Sequence, residues 1–200
     1  MVKKVAIFHE GKSRKSADEE LLNLLIKDLQ LDIERVKFFG MKSKSNFFKI
    51  DDTNYKELQH DIELENISKI LFVLDADYEK NDRLYGGYSN TQREIEKIIK
   101  NLKLEDSADY FIMCDPKTKC GYLESFILAS IPAKEKRCIE EFLDCSSFKS
   151  KENDKAILNQ IYKIAYPTAP FGFSHENFDN LKEKLHNLFA KSDDKIKKEK

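Results

Sequence analysis

Lys69-Ile70-Leu71-Phe72-Val73-Leu74-Asp75-Ala76-Asp77-Tyr78-Glu79 is an apolar run that stops at paired carboxylates. Ile70 to Leu74 carry no polar break, which is how a strand buried on both faces reads, as in a sheet covered by helices. Asp75 and Asp77 follow at i, i+2 spacing. A strand end holds two such side chains close together, and a turn there aims both at one point. In open α/β sheets, ligands bind just beyond the carboxyl ends of the strands. Two hard oxygen donors at such a place suit Mg²⁺ or Mn²⁺. Aspartates that merely cap a turn are the plainer alternative.

Val5-Ala6-Ile7-Phe8 is a second apolar strand, and it too ends on a carboxylate, in His9-Glu10-Gly11-Lys12-Ser13. Gly11 predicts a tight turn. Ser16 and Glu19 form a capping-box pattern, and Leu21, Leu22, Leu25, Ile26 and Leu29 make the stripe of a helix over Ser16–Leu29. Glu34–Phe39 reads as a strand. The basic stretch Gly40–Lys49, with Lys42, Lys44 and Lys49, reads as a solvated loop or hairpin, and Asp52–Leu64 as a helix with Tyr55, Leu58 and Ile62 inward. Tyr78–Tyr88, with Gly86-Gly87, is expected to be a loop that is mobile without ligand. Ser89 with Gln92 predicts another capping box, ahead of a helix marked by Ile95, Ile98, Ile99 and Leu102. Asp109–Cys114 is the last strand, and Asp115-Pro116 turns the chain.

Tyr122–Leu128, Lys134–Leu143, Asp154–Ala165 and a segment from about Ser174 containing Phe178, Leu181, Leu185, Leu188 and Phe189 read as helices. Pro167 and Pro170 interrupt that series. Strands alternating with helices predict an α/β fold with a mostly parallel, Rossmann-like sheet flanked by helices, and a helical C-terminal extension. The expected division is a core over 1–130, an extension packed on it over 131–191 and a flexible charged tail over 192–200.

The chain has 200 residues and a formal net charge of −1, so nucleic-acid binding would need a local basic patch rather than a global excess. No apolar run approaches the ~20 residues of a membrane span. Cys114, Cys120, Cys138 and Cys145 contain no Cys-x-x-Cys pair, which argues against zinc. No signal-peptide pattern opens the sequence, so reduced thiols in a cytoplasm are expected. Frequent Lys, Asn, Ile and Phe with no Trp fit an AT-rich bacterial genome.

Strand-Glu-Gly-helix followed by strand-Asp-x-Asp resembles the Toprim domain of topoisomerases, bacterial primases, RecR-type recombination proteins and OLD-family nucleases. The resemblance covers roughly Lys3 to Asp115. It implies that Glu10 acts as general acid or base and that Asp75 and Asp77 hold Mg²⁺. Gly121-Tyr122-Leu123-Glu124 is similar to a Gly-x-Leu-Glu segment in small stand-alone Toprim-like bacterial proteins, which brings Glu124 into the metal shell; an ordinary helix position is the other reading. The family's acidic residue a few positions after Glu-Gly is missing, since Asp18 comes late and also suits a helix cap. No zinc module or topoisomerase tyrosine domain accompanies the core, so DNA relaxation and primer synthesis are not expected.

Lys12 beside Glu10, and Arg83 with Lys80 and Tyr85 after the Asp pair, are candidates for meeting phosphate or a nucleic-acid strand, against the alternative of solvated loop residues. Asp115 is a further strand-end carboxylate, with turn initiation as its other reading. His9 either joins the site or packs locally. The expected function is a Mg²⁺- or Mn²⁺-dependent phosphodiester-processing enzyme, most simply a nuclease. The competing reading is a catalytically silent module that binds nucleic acid, a partner protein or a second copy of itself. A generic α/β phosphatase or nucleotidyl-transfer enzyme fits less well, because the first strand ends in Glu rather than Asp-x-Asp.

Overall fold

The computed structural model describes residues 3–12, 16–145 and 172–190. Its centre is a four-stranded parallel sheet of β1 (Lys4–His9), β2 (Val36–Gly40), β3 (Ile67–Asp75) and β4 (Ala108–Met113), in the order β2-β1-β3-β4. The apolar run at 70–74 lies inside β3, between β1 and β4. Ile7 pairs with Leu71 and Phe8 with Phe72 on one side, and Phe72 pairs with Tyr110 on the other.

The two central strands, β1 and β3, are apolar on both faces because each face is covered. Val5, Ile7, Leu71, Val73, Phe111 and Met113 point to the face packed by α1 (Ala17–Asp28), α5 (Leu123–Leu128) and α7 (Asp179–Phe189). Ala6, Phe8, Ile70, Phe72, Leu74 and Ile112 point to the opposite face, under α3 (Thr53–Glu63) and α4 (Tyr88–Asn101). Phe8 sits in the middle of that face, stacked on Phe39 with centroids 4.5 Å apart and tilted against Phe72 at 5.1 Å. Truncating such a buried aromatic costs about 3–5 kcal/mol.

Alternating βα units therefore form as the sequence predicts, and the C-terminal helix packs on the core through Phe178, Leu181, Leu185 and Leu188. Asp154–Ala165, Pro167, Pro170 and the 192–200 tail lie outside the described residues. Of the remaining described helices, α6 (Ala133–Cys145) follows α5 on the same flank. Among the described residues no helix is long and apolar enough to cross a membrane.

Several local expectations change. The basic stretch after β2 is not a plain loop: Lys44–Phe47 forms a short helix, α2, with Met41 and Phe47 buried on either side of its start and end. Those two apolar anchors pull the turn onto the core and carry Lys44 inward with them. Ser89 and Gln92 make no capping box. Helix α4 begins at Tyr88 behind Gly87, and the Gln92 amide donates instead to Glu96 and the Tyr110 hydroxyl. At α1, half of the predicted box forms: Ser16 Oγ accepts the Glu19 N–H, while the Glu19 carboxylate lies 3.6 Å from His9 Nε2. The loop after β3 is also more tightly held than Gly86-Gly87 implies. Gly86 N–H donates to Asp82 O and Gly87 N–H to Ala76 O, both at 2.8 Å, and Asp82 Oδ1 accepts the N–H groups of Leu84 and Tyr85.

Candidate functional site

Chain order and strand order diverge at β1. From β1 the chain moves outward to β2, then returns to β3 on the other side of β1. The carboxyl ends of β1 and β3 thus flank a topological switch point, where parallel α/β sheets form their ligand crevices. Glu10 follows β1 there, and Asp75 ends β3.

The two strand ends touch. Glu10 Oε1 accepts the Asp75 backbone N–H at 2.9 Å. Asp75, almost wholly buried, accepts through Oδ1 the N–H of Leu123, the first residue of α5, at 2.9 Å. Beyond it, Asp77 takes the left-handed backbone conformation with φ of 59°, which aspartate tolerates better than most residues. Asp77 exchanges two backbone hydrogen bonds with Gly121, at 2.6 and 3.0 Å. Gly121 itself has φ of 99°, and a Cβ there would run into the Ser125 side chain. The Gly-Tyr-Leu-Glu segment is therefore tied to the Asp-x-Asp turn through backbone and carboxylate together. Glu124, adjacent to the N–H that Asp75 accepts, is buried in the first turn of α5.

Lys44 completes the cluster, and sequence reasoning missed it. Its Nζ donates to Ala76 O at 2.7 Å and to Asp77 Oδ2 at 3.3 Å. The lysine is only 7 % exposed, and it arrives from α2, 33 residues before Asp77. The one available signal was the apolar pair Met41 and Phe47 bracketing an otherwise basic stretch. Thr91 Oγ1, on α4, also approaches Ala76 O at 3.3 Å, so that carbonyl collects donors from Lys44, Gly87 and Thr91.

The electrostatics are uneven. Glu10 is half-buried, with part of its surface reaching solvent. Burial, with the Asp77 charge behind it, pushes its carboxyl up to about 8, against the pull of the Asp75 N–H and Lys44. Asp18, in the first turn of α1, adds to the rise, so it does act on the site electrostatically. Gly11 allows this close approach rather than a left-handed turn: a Cβ on it would collide with Ser16, the cap of α1. His9 is fully buried, with Nδ1 3.3 Å from Ser16 Oγ, and burial lowers it to about 4. It is thus a neutral packing histidine at pH 7.

The remaining candidates lie further out. Lys12 and Arg83 are exposed. Asp115 initiates a turn: its Oδ1 accepts the N–H groups of Lys117 and Thr118, and Oδ2 pairs with Lys136 at 2.8 Å. A groove of about 400 Å³ opens along the β4 edge between Tyr88, Tyr110, Lys119, Asn180 and Lys184, and Glu10, Asp75 and Asp77 do not line it.

A hard dication suits this donor set in chemistry. The described carboxylates at the switch point outnumber the one buried ammonium, and Glu10 is driven toward its protonated form first by burial and then by the Asp77 charge. They are not gathered, however. Among the described residues, no group of three or more His, Cys, Asp or Glu side chains is assembled to hold an ion. Glu10 and Asp75 each accept a backbone N–H, and Asp77 is paired with Lys44.

Fold and cluster together define an α/β protein of the Rossmann-like class with an acidic site at its switch point. Compared with protein-family models, curated proteins and solved structures, the chain matches none.

Proposed function

We propose that the protein is a Toprim-like, divalent-cation-dependent phosphodiester-processing enzyme, most simply a nuclease acting on DNA or RNA. The observation that carries the reading is the meeting of Glu10 with Asp75 at the β1/β3 switch point, next to Asp77. Asp75 and Asp77 are the residues that would hold Mg²⁺ or Mn²⁺, with Glu124 beside them. Bound there, the cation supplies neutralisation of phosphate oxygens and polarisation of the scissile bond. Glu10 supplies the proton transfer. Its Oε1 is tied to the Asp75 N–H, which leaves Oε2 to take a proton from attacking water or to return it to the leaving oxygen. A carboxyl drawn toward neutral pH is suited to both. Lys12 and Arg83, exposed near the strand ends in sequence, are the cations available to an incoming nucleic-acid strand.

The test is cleavage of single- and double-stranded DNA and RNA with Mg²⁺ and Mn²⁺. Wild type is expected to cleave at least one of them. Glu10→Gln should still bind metal while turnover falls ~10²–10⁴-fold, the range for a lost general base. Asp75→Asn and Asp77→Asn should lower metal affinity and cleavage together. Wild type that cleaves nothing with either metal would falsify the enzymatic reading.

A specific observation favours the competing reading, a silent binding module. Asp77 already has a cationic partner in Lys44, and no multi-carboxylate set is assembled among the described residues. Unchanged nucleic-acid binding by the Glu10, Asp75 and Asp77 variants, with no cleavage by wild type, would install that reading.

A further inference from the structure

The positive charge at this site comes from inside the chain. An ammonium is buried only where its donors are taken by carbonyls or anions. Lys44 meets both, with the Ala76 carbonyl at 2.7 Å and Asp77 Oδ2 at 3.3 Å. Core packing does not require a cation here. Met41 and Phe47 anchor the α2 turn, helped by the Asn46 amide donating to Met41 O and the Tyr55 hydroxyl donating to Phe47 O. The ammonium answers to the Ala76 carbonyl and the Asp77 carboxylate at the end of β3.

We propose that Lys44 is the resident cation of the switch-point site and an internal competitor for a divalent cation at Asp77. The inference rests on the cation-dependent reading above and deepens it. A dication approaching Asp77 meets a fixed positive charge already paired with that carboxylate, in a partly desolvated place where repulsion is weakly screened. Metal alone therefore binds weakly. A phosphate entering with the metal gives the ammonium a new anionic partner, and the flexible four-carbon stem of lysine reaches it without a backbone change. Metal and phosphate then support each other's binding, which makes the substrate class a phosphate ester taken up together with its cation.

The experiment is Mn²⁺ titration of the full chain, followed by the magnetic resonance signal of free Mn²⁺, with and without thymidine 5′-monophosphate as the phosphate probe. Lys44→Met and Lys44→Gln are expected to bind Mn²⁺ at least ~10-fold more tightly than wild type without the nucleotide. Lys44→Arg, which keeps the charge, should stay as weak as wild type. The nucleotide should tighten Mn²⁺ binding to wild type more than to Lys44→Met. Circular dichroism checks folding. If the methionine variant does not fold, the glutamine variant decides, because its amide can still donate to the Ala76 carbonyl. Wild type that binds Mn²⁺ while the neutral variants bind no tighter overturns the role of Lys44 and leaves the cation-dependent reading standing. No Mn²⁺ binding by wild type or any variant overturns both.

Discussion

At the end of β1 the ionisable side chains are accommodated by losing charge, whereas at the end of β3 they are met by donors. His9 is held neutral and Glu10 is driven toward its protonated form, both mainly by burial. Asp75 instead receives the Leu123 N–H, and Asp77 receives Lys44. The two strand ends are adjacent in space, and their carboxylates lie close enough for Asp77 to raise Glu10. The difference is one of supply. Helix α5 and the α2 turn each bring a donor to β3, while among the described residues the Glu10 carboxyl gains one hydrogen bond, from the Asp75 N–H. A buried carboxyl raised in this way is decided by solution pH or by an arriving cation.

The sharpest way to break this comparison is the pH dependence of stability in metal-free buffer. A carboxyl whose folded pKa is raised stabilises fully below its unfolded value and loses that contribution as pH rises through the folded value. For Glu10 the window runs from about 4.5 to about 8. Glu10→Gln should remove the decline, leaving the variant more stable than wild type near pH 8 by about 3 kcal/mol, a figure reduced for the partly solvated carboxyl. Urea midpoints that fall in parallel for both proteins across this range would mean that β1 ends in an ordinary glutamate.

His9 gives the next effect, with the opposite sign. Its folded pKa is depressed from 6.5 to about 4, so stability is present above 6.5 and is lost as pH falls toward 4. The loss should reach about 2–3 kcal/mol by pH 4. A His9→Asn variant is expected to flatten this acid limb in the same urea series, and an unchanged limb would assign it to other groups.

Smaller effects belong to β3. Asp75→Ala leaves the Leu123 N–H buried without its acceptor and should cost about 1–3 kcal/mol, whereas Asp75→Asn keeps an acceptor and should cost less. Thermal unfolding of the pair measures the gap. Equal losses would mean that the carboxylate charge, which both variants remove, matters there rather than the hydrogen bond. Asp77→Asn is expected to change stability by less than about 1 kcal/mol, because its side chain is 38 % exposed and its contact with Lys44 is long. A loss as large as that of Asp75→Ala would show that the Lys44 pair is a structural tie rather than a placeholder.

Much of this arrangement is legible along the chain. The β3 run and the Val5–Phe8 run identify strands, because a strand covered on both faces has no reason to alternate. Glu10, Asp75 and Asp77 stand out because each follows such a run. Lys44 does not stand out. Between Lys42 and Lys49 it reads as one more solvated lysine, and its partners lie 32 and 33 residues away. The same blindness produced the Ser89–Gln92 capping box: a four-residue pattern contains nothing about Tyr110, whose hydroxyl takes the Gln92 amide. Asp115 shows the reverse case, where the turn chemistry of Asp-Pro was already the better guide.

The alternation of strands and helices, the apolar character of the central strands and the carboxylates at their ends follow from the order of residues, because those depend on neighbours within a few residues. The order β2-β1-β3-β4, and with it the switch point that sets Glu10 against Asp75, comes from the packing of the folded chain. That packing also sets which carboxylates receive a donor. Burial, Coulombic coupling and long-range hydrogen bonds depend on distances through space, and those are fixed only when the helices have packed onto both faces of the sheet.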